Sequence, residues 1–330
     1  MWDVKNRSPY AVARNWTRDK DGVHHWLVAL KATFDIGPAG ALSLADEQPP
    51  PSLETVYRGD PGRSSVVQDC ELLGLKPTTE LLVSGHAHAP KGRPTASVPV
   101  TVQCGPIQKS IVAFGARVYF EGPTGLATTD SAPFVTTPIV YEHAFGGWDD
   151  EDPDPSKQQL DERNPVGRGF GKAAKALANT PAHTLELASG GRGDGPAGLG
   201  PIDPSWLPRR PFAGTYDAAW VESKKPLLPD DYDPRFHLSA PADQQAPSYL
   251  RGGESVGVLN MTEEGRVAFP LPTIDVRMKT VFGRRRIEHV PSLTTVALDL
   301  DARTVQLLFQ SSTRVVARDV DRLDFTEVAA

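Results

Sequence analysis

Three carboxylates in the second half of the chain have the residue types and setting for hydrolytic chemistry. Asp231 and Asp233 lie in "DDYDP" at 230–234, and Glu254 lies in "RGGES" at 251–255. Two such groups about 5–9 Å apart beside an open cleft act as acid and base in glycoside hydrolysis. That chemistry defines one reading of the chain, a β-sandwich hydrolase or carbohydrate-active protein. A competing reading needs no reaction, because aspartates in turn-rich segments accept hydrogen bonds from turn amides. "DDYDP" also offers oxygen ligands, but lacks the glycine and distal glutamate of a calcium loop. His86 and His88 share a strand face as metal ligands would, with no third ligand spaced to join them. Ser84 beside His86 does not sit in a nucleophile elbow. Arg284–Arg286 is a lone basic triplet on an acidic chain and is expected to be solvated. Arg192-Gly193-Asp194 in "GRGDG" is expected to be a flexible loop. No phosphate loop, dinucleotide fingerprint or zinc-finger spacing occurs, so no catalytic residue, metal or cofactor is expected.

A second group of residues has the composition of shaped loops. "YEHAFGG" at 141–147 combines a carboxylate, a histidine, two aromatics and paired glycines. Gly146 and Gly147 permit positive φ, so a strand carrying Tyr141 and Phe145 can turn sharply after them. Glu142 is expected to accept hydrogen bonds from loop amides. In "NPVGRGF" at 164–170, Asn164 is pushed into an extended conformation by Pro165, and its side-chain amide can satisfy a neighbouring carbonyl. Gly167 and Gly169 bracket Arg168, and Phe170 is expected to plug into the core.

The elements that must position these residues are mainly strands. The chain has 330 residues, of which 31 are proline and 29 glycine, a composition that disfavours long helices. Residues 23–36 are β-branched and aromatic between turn signals, with Trp26, Val28 and Leu30 on one face. Further strands are expected at 79–86, 98–104, 109–120 and 137–144. "ESVGVLNM" and "RVAFPLP" form a hairpin through "TEEG", and "TTVALDL" and "VQLLFQS" form another through "DART". From 146 to 250 the chain is rich in proline and glycine, with short helices at Gly171–Ala178 and Asp217–Ser223, the latter capped by Asp217. Its aromatics are costly to leave in water, so most of this segment should fold onto the β core. The acidic stretch Asp149–Asp161 and the glycine stretch Gly190–Gly200 are the expected exceptions. The reading is an antiparallel β-sandwich-like fold with long ordered loops. It has β-rich regions at 1–145 and 251–330 and a loop-rich segment at 146–250, all compatible with one continuous domain.

The formal charge of −6 gives no global attraction to nucleic acid. No stretch approaches the roughly 20 apolar residues of a membrane span, and "MWDVKNRSPYAVARNW" has no apolar core of signal-peptide length. Cys70 and Cys104 are too few for a secreted disulfide framework and are expected to be buried thiols in a reducing cytoplasm.

"LVALKATFDI", "ELLGLKPTTELLVSGHAHAP", "YEHAFGG", "NPVGRGF", "GTYDAAW", "LPDDYDPRFHLSAPADQQ" and "RGGESVGVLNMTEEG" occur in this order. Together they resemble a bacterial domain-of-unknown-function family encoded beside type VI secretion effectors, from about Asn6 to beyond Pro272. The resemblance implies an adaptor-chaperone that helps load a toxic effector onto the VgrG–PAAR spike. Its partner would be the effector, a PAAR-like protein or VgrG; a structural component that stays on the secreted spike is a further alternative. The signature positions carried over are Tyr141, Phe145, Gly146 and Gly147, then Asn164, Pro165, Gly167, Gly169 and Phe170. Gly214, Tyr216, Asp217 and Trp220 follow. Asp231, Asp233, Phe236, Asp243 and Gln244 come next, and Gly253 and Glu254 end the set. Two departures from the family pattern are "GLGPIDPSW" at 198–206, where relatives carry an FGP-type turn, and "LLFQSS" at 307–312, where relatives place a tryptophan and an arginine.

Overall fold

The computed structural model describes residues 2–123, 125–171, 174–190 and 195–330. Side-chain alternation along its strands decides the layers. On the strand His24–Ile36, Trp26, Val28, Leu30 and Ala32 point into the main core, while Leu27, Ala29, Lys31 and Thr33 point to the opposite face.

This strand is the second of a six-stranded sheet. Its order is Ala11–Arg18, His24–Ile36, Thr304–Val315, Ser292–Asp299 and Glu80–Ser84, with Leu42–Leu44 added on His24–Ile36. Only Glu80–Ser84 runs parallel to its neighbour. A five-stranded antiparallel sheet has the order Leu185–Leu187, Ile107–Phe114, Ser97–Cys104, Ser255–Leu259 and Arg266–Pro270. A third sheet joins Asp3–Asn6, Leu323–Ala329, Arg277–Phe282 and Arg285–His289. One apolar cluster spans all three, with Val28 and Leu307 from the first, Val100 and Val258 from the second, and Met278 and Val328 from the third. The fold is mainly β, mostly antiparallel and sandwich-like, and the early and late β-rich regions interleave in both large sheets.

The two hairpins form as the turn residues indicate: Ser255–Leu259 pairs with Arg266–Pro270, and Ser292–Asp299 with Thr304–Val315. Two expected strands are cut short. The stretch 109–120 becomes Ile107–Phe114 and Tyr119–Gly122, divided near Gly115, where a Cβ would run into the Ala132 carbonyl of a crossing segment. In 137–144 the strand is only Thr136–Pro138, and Tyr141–His143 is a single 3-10 turn. Pro138 has no amide to continue a ladder, and the Ala144 amide instead closes the turn on the Tyr141 carbonyl.

The 146–250 segment folds over the sheets as loops with short helices. Ala218–Ser223 starts at Asp217, whose carboxylate accepts the Trp220 amide at 2.9 Å. Of the expected helix Gly171–Ala178, Ala174–Leu177 is helical, while Lys172 and Ala173 lie outside the described residues, as do Gly191–Asp194. The acidic stretch, expected to stand apart, is folded by its own carboxylates. Trp148–Asp149 pairs with Gln159–Leu160, Asp154 caps the turn at Ser156, and Asp150 is bound by Arg63, which also covers the Trp148 ring. In the glycine stretch Ala197 and Leu199 are buried. Cys104 is buried and Cys70 half-buried, and both are free thiols. Among the described residues no helix is long and apolar enough to cross a membrane.

Candidate functional site

The first two signature stretches form one knot around Asn164, which is completely buried. Its side-chain amide donates to the carbonyls of Tyr141 (2.9 Å) and Phe145 (3.0 Å). Its own carbonyl accepts from the amides of Gly147 (2.8 Å) and Gly167 (3.2 Å). Phe145–Gly146 then runs parallel to Arg168–Gly169, with the Phe170 amide on the Gly146 carbonyl. A carbonyl lost from water without a partner costs about 1–3 kcal/mol, so one asparagine keeps this crossing intact.

Two different constraints select the glycines here. Gly147 has φ +134°, a conformation open to glycine. Gly167 has no positive φ. It is glycine because a Cβ would lie 2.4 Å from the Asn164 side-chain amide and 2.8 Å from both the Ala144 carbonyl oxygen and the Gly146 Cα. Gly146 and Gly169 combine positive φ with close contacts, to Asn164 and to the Tyr119 hydroxyl respectively. Pro165 is half-buried. Phe170 is also half-buried and lies against Gly147, so it braces the loop instead of entering the core. Glu142 accepts from the Ser65 amide (2.7 Å) and hydroxyl (2.9 Å), tying the knot to a distant loop.

Behind the knot stands a polar line that sequence reasoning missed. The fully buried Tyr119 hydroxyl donates to the Arg168 carbonyl at 3.1 Å and lies 2.6 Å from His183 Nδ1. His183 Nε2 is 3.1 Å from Glu186, which also pairs with Arg117. The hydrogen bond from His183, followed by Arg117, holds the Glu186 carboxyl down at about 2. Carboxylate, imidazole and phenol in series have the order of a proton relay. Here the phenol is closed off and grips the backbone of the signature loop. The only local signal was the spacing of His183 and Glu186 in "HTLE"; Tyr119 is 64 residues away in the chain.

The third and fourth signatures form an exposed platform. Gly214 (φ +83°) brings two loops together, and a Cβ there would lie 2.8 Å from the Asp231 carboxylate. Asp231 accepts from the Thr215 amide and hydroxyl, 3.0 and 2.8 Å, which lowers its pKa. Asp233 caps the turn Pro234–His237 through the Arg235 amide and pairs with the Arg235 guanidinium at 2.6 Å. Tyr216 packs edge-on against Trp220, whose indole donates to the Leu227 carbonyl. Beneath the platform the buried Arg209 bridges Asp69 (2.6 Å), the Phe236 carbonyl and the Ile202 carbonyl, with Phe236 half-buried against it. Burial first, then the charges of Lys76 and Arg209, push His237 down to about 4.

Gln244 is completely buried and donates to the carbonyls of Leu81 and Leu199, both at 2.8 Å. Its neighbour Asp243 is exposed and accepts from the buried Lys109 ammonium at 2.9 Å. Gly253 has φ +87°, and Glu254 folds back to accept the amides of Arg251 (2.8 Å) and Gly252 (2.9 Å). Asp231, Asp233 and Glu254 therefore each close a separate local ring of hydrogen bonds. His86 pairs with Asp301 at 2.8 Å, and Arg285 pairs with Asp319. Among the described residues no group of three His, Cys, Asp or Glu side chains is placed to hold a metal.

Between knot and platform lies an open groove of about 570 Å³. Its walls include Tyr141, Leu187, Ile202, Leu207, Pro208 and Pro211, with Asp243 and Arg163 as polar members. The edge strand Leu185–Leu187 of the second sheet contributes Leu187.

Fold and site together define a mainly β sandwich whose buried polar groups and close-packed glycines hold a cap of shaped loops. The chain belongs to the family described as DUF2169, an uncharacterized protein conserved in bacteria, whose model matches residues 21–310. Comparison with curated proteins and with solved structures gives no match.

Proposed function

We propose that this protein is a cytoplasmic, non-enzymatic adaptor that helps load a toxic effector onto the VgrG–PAAR spike of a bacterial type VI secretion system. The observation that carries this reading is the commitment of the signature side chains. Asn164, Gln244, Asp231, Asp233 and Glu254 are each engaged in holding a loop, with neighbouring backbone or an adjoining residue as partner. These side chains are taken up in holding a shape, and a fixed, unreactive surface suits recognition.

The surface suited to recognition is the platform and the groove below it. Tyr216 and Val221 are 53% and 54% exposed, and the segment leading to them supplies Leu207, Pro208 and Pro211 to the groove wall. Aromatic anchors beside an apolar depression are the usual centre of a protein interface. A stable complex would cover at least roughly 1,000 Å² in total.

The test is effector delivery from a strain lacking this protein, with spike assembly followed in parallel. The adaptor reading expects reduced delivery with the spike still assembled. Co-secretion of the protein would assign it to the spike instead. Normal delivery would remove the adaptor and bring back the hydrolase using Asp231, Asp233 and Glu254.

A further inference from the structure

The third sheet ends in an edge strand whose outer side is open. Arg277–Phe282 and Arg285–His289 form a hairpin, and the two-residue turn of Gly283 and Arg284 closes it on the Phe282–Arg285 pair. In such a hairpin the closing pair exchanges both backbone hydrogen bonds, and every second pair after it does the same. Arg285, Ile287 and His289 therefore turn amide and carbonyl inward to Arg277–Phe282. Arg286 and Glu288 turn theirs outward. Among the described residues, no strand or isolated bridge pairs with that outer side.

The side chains alternate as well. Ile287 packs against the main core, and His289 on the same face lies 2.6 Å from the Ser311 hydroxyl. Arg286 and Glu288 project from the opposite face and are exposed. The charges nearest to them are already engaged. Lys279, opposite Glu288, pairs with Glu327 at 3.1 Å. Arg277, which feels the Glu288 charge, pairs with Asp275 at 2.8 Å. Arg286 stands opposite the apolar Val281. Val290, directly after the strand, is 77% exposed, the highest value of any large hydrophobic side chain among the described residues.

Charges on an edge strand usually discourage pairing with another strand. Here their order selects one arrangement. Arg286 and Glu288 are opposite in sign and flank Ile287. A second copy of the strand, turned end for end about Ile287, sets its Glu288 against Arg286 and its Arg286 against Glu288. A shift of two residues either way sets Arg286 against Arg286 or Glu288 against Glu288, and a parallel in-register pairing does both. Opposite charges directly across two strands stabilise the pair, and like charges destabilise it. The backbone fits the same register, because Arg286 and Glu288 are the residues whose amides and carbonyls face outward. Val290 of each copy then comes opposite Arg284 of the other, at the hairpin turn. A two-fold interface must be self-complementary in this way.

We propose that Arg285–His289 is a homodimerisation edge, at which two copies of this chain pair antiparallel about Ile287 and join their third sheets into one. The proposal does not rest on the adaptor reading.

Sedimentation velocity of the full chain at low salt, over a range of concentrations, tests it. Five residues a side make a small interface, so the dimer should be weak and accumulate in the micromolar range. Arg286→Glu and Glu288→Arg should each weaken dimerisation at least tenfold, because the two-fold axis makes every substitution count twice. The combination Arg286→Glu/Glu288→Arg should restore the wild-type affinity, since the exchanged strand is again complementary to itself. Both positions are exposed, so the melting midpoint of the dilute monomer should move little. A wild-type chain that stays monomeric up to millimolar concentration would overturn the proposal and leave the edge to a different protein. So would an unweakened dimer in either single variant, or a double variant as weak as the singles.

Discussion

The knot around Asn164 and the platform around Tyr216 both consist of signature residues in glycine-rich loops, but they are held together by different physics. In the knot the polar atoms are buried and the glycines are packed against backbone. The hydrogen bonds that Asn164 donates lie away from water, so their loss leaves orphaned carbonyls, although its own Oδ1 has no partner. On the platform Asp231, Asp233 and Asp217 close small rings at the surface, where water can replace any partner that is removed. The knot is therefore where a substitution should damage the fold. The platform is where a substitution should alter the surface and leave the fold standing.

Asn164→Ala should be the most damaging change, at about 3–5 kcal/mol, because it orphans the Tyr141 and Phe145 carbonyls and opens a void. Denaturant unfolding measures this, and a loss below about 1 kcal/mol would erase the distinction between the two regions.

The base of the platform should show a pH response of at most about 3 kcal/mol. His237 has a folded pKa of about 4, below its unfolded value, so the unfolded chain binds the extra proton first. Stability should be complete above pH about 6.5 and fall as the pH drops toward 4. His237→Gln should flatten that part of the profile; an identical pH profile in the variant would contradict the assignment.

Gly167→Ala should cost about 2–3 kcal/mol through overpacking against the Ala144 carbonyl and Gly146. Because φ is ordinary there, the cost should persist in Gly167→Ser and Gly167→Asn. A recovery of stability with asparagine, which tolerates positive φ, would indicate a conformational origin instead. Asp217→Ala on the platform should cost only about 1 kcal/mol, the value of a helix cap, read from the melting midpoint.

How far these differences were legible in the sequence follows from the range of the interactions. The hairpins at 255–270 and 292–315 were readable because turn residues and alternation are local. So was the Asp217 cap, since its acceptor and donor are three residues apart. The amide role of Asn164 was readable from its own side chain, which can donate to a neighbouring carbonyl. The reason for Gly167 was not, because the Asn164 side-chain amide and the Ala144 carbonyl close on it only once the two loops cross. Tyr119, His183, Glu186 and Arg117 escaped notice for the same reason, since the tyrosine and arginine stand more than 60 residues from their partners.

The smallest effect on stability should come from Tyr216→Ala/Val221→Asp, less than about 0.5 kcal/mol as an exposed-surface change, and it should have the largest effect on function. Co-purification with the effector, PAAR-like and VgrG products of the neighbouring genes, at low and moderate salt, measures this directly. The adaptor account predicts that the wild-type protein retains one of these partners at both salt concentrations. The double variant should lose it at least tenfold at an unchanged melting midpoint. Equal retention by wild type and variant would contradict the platform as the binding surface, and no retention by the wild type would contradict the adaptor itself.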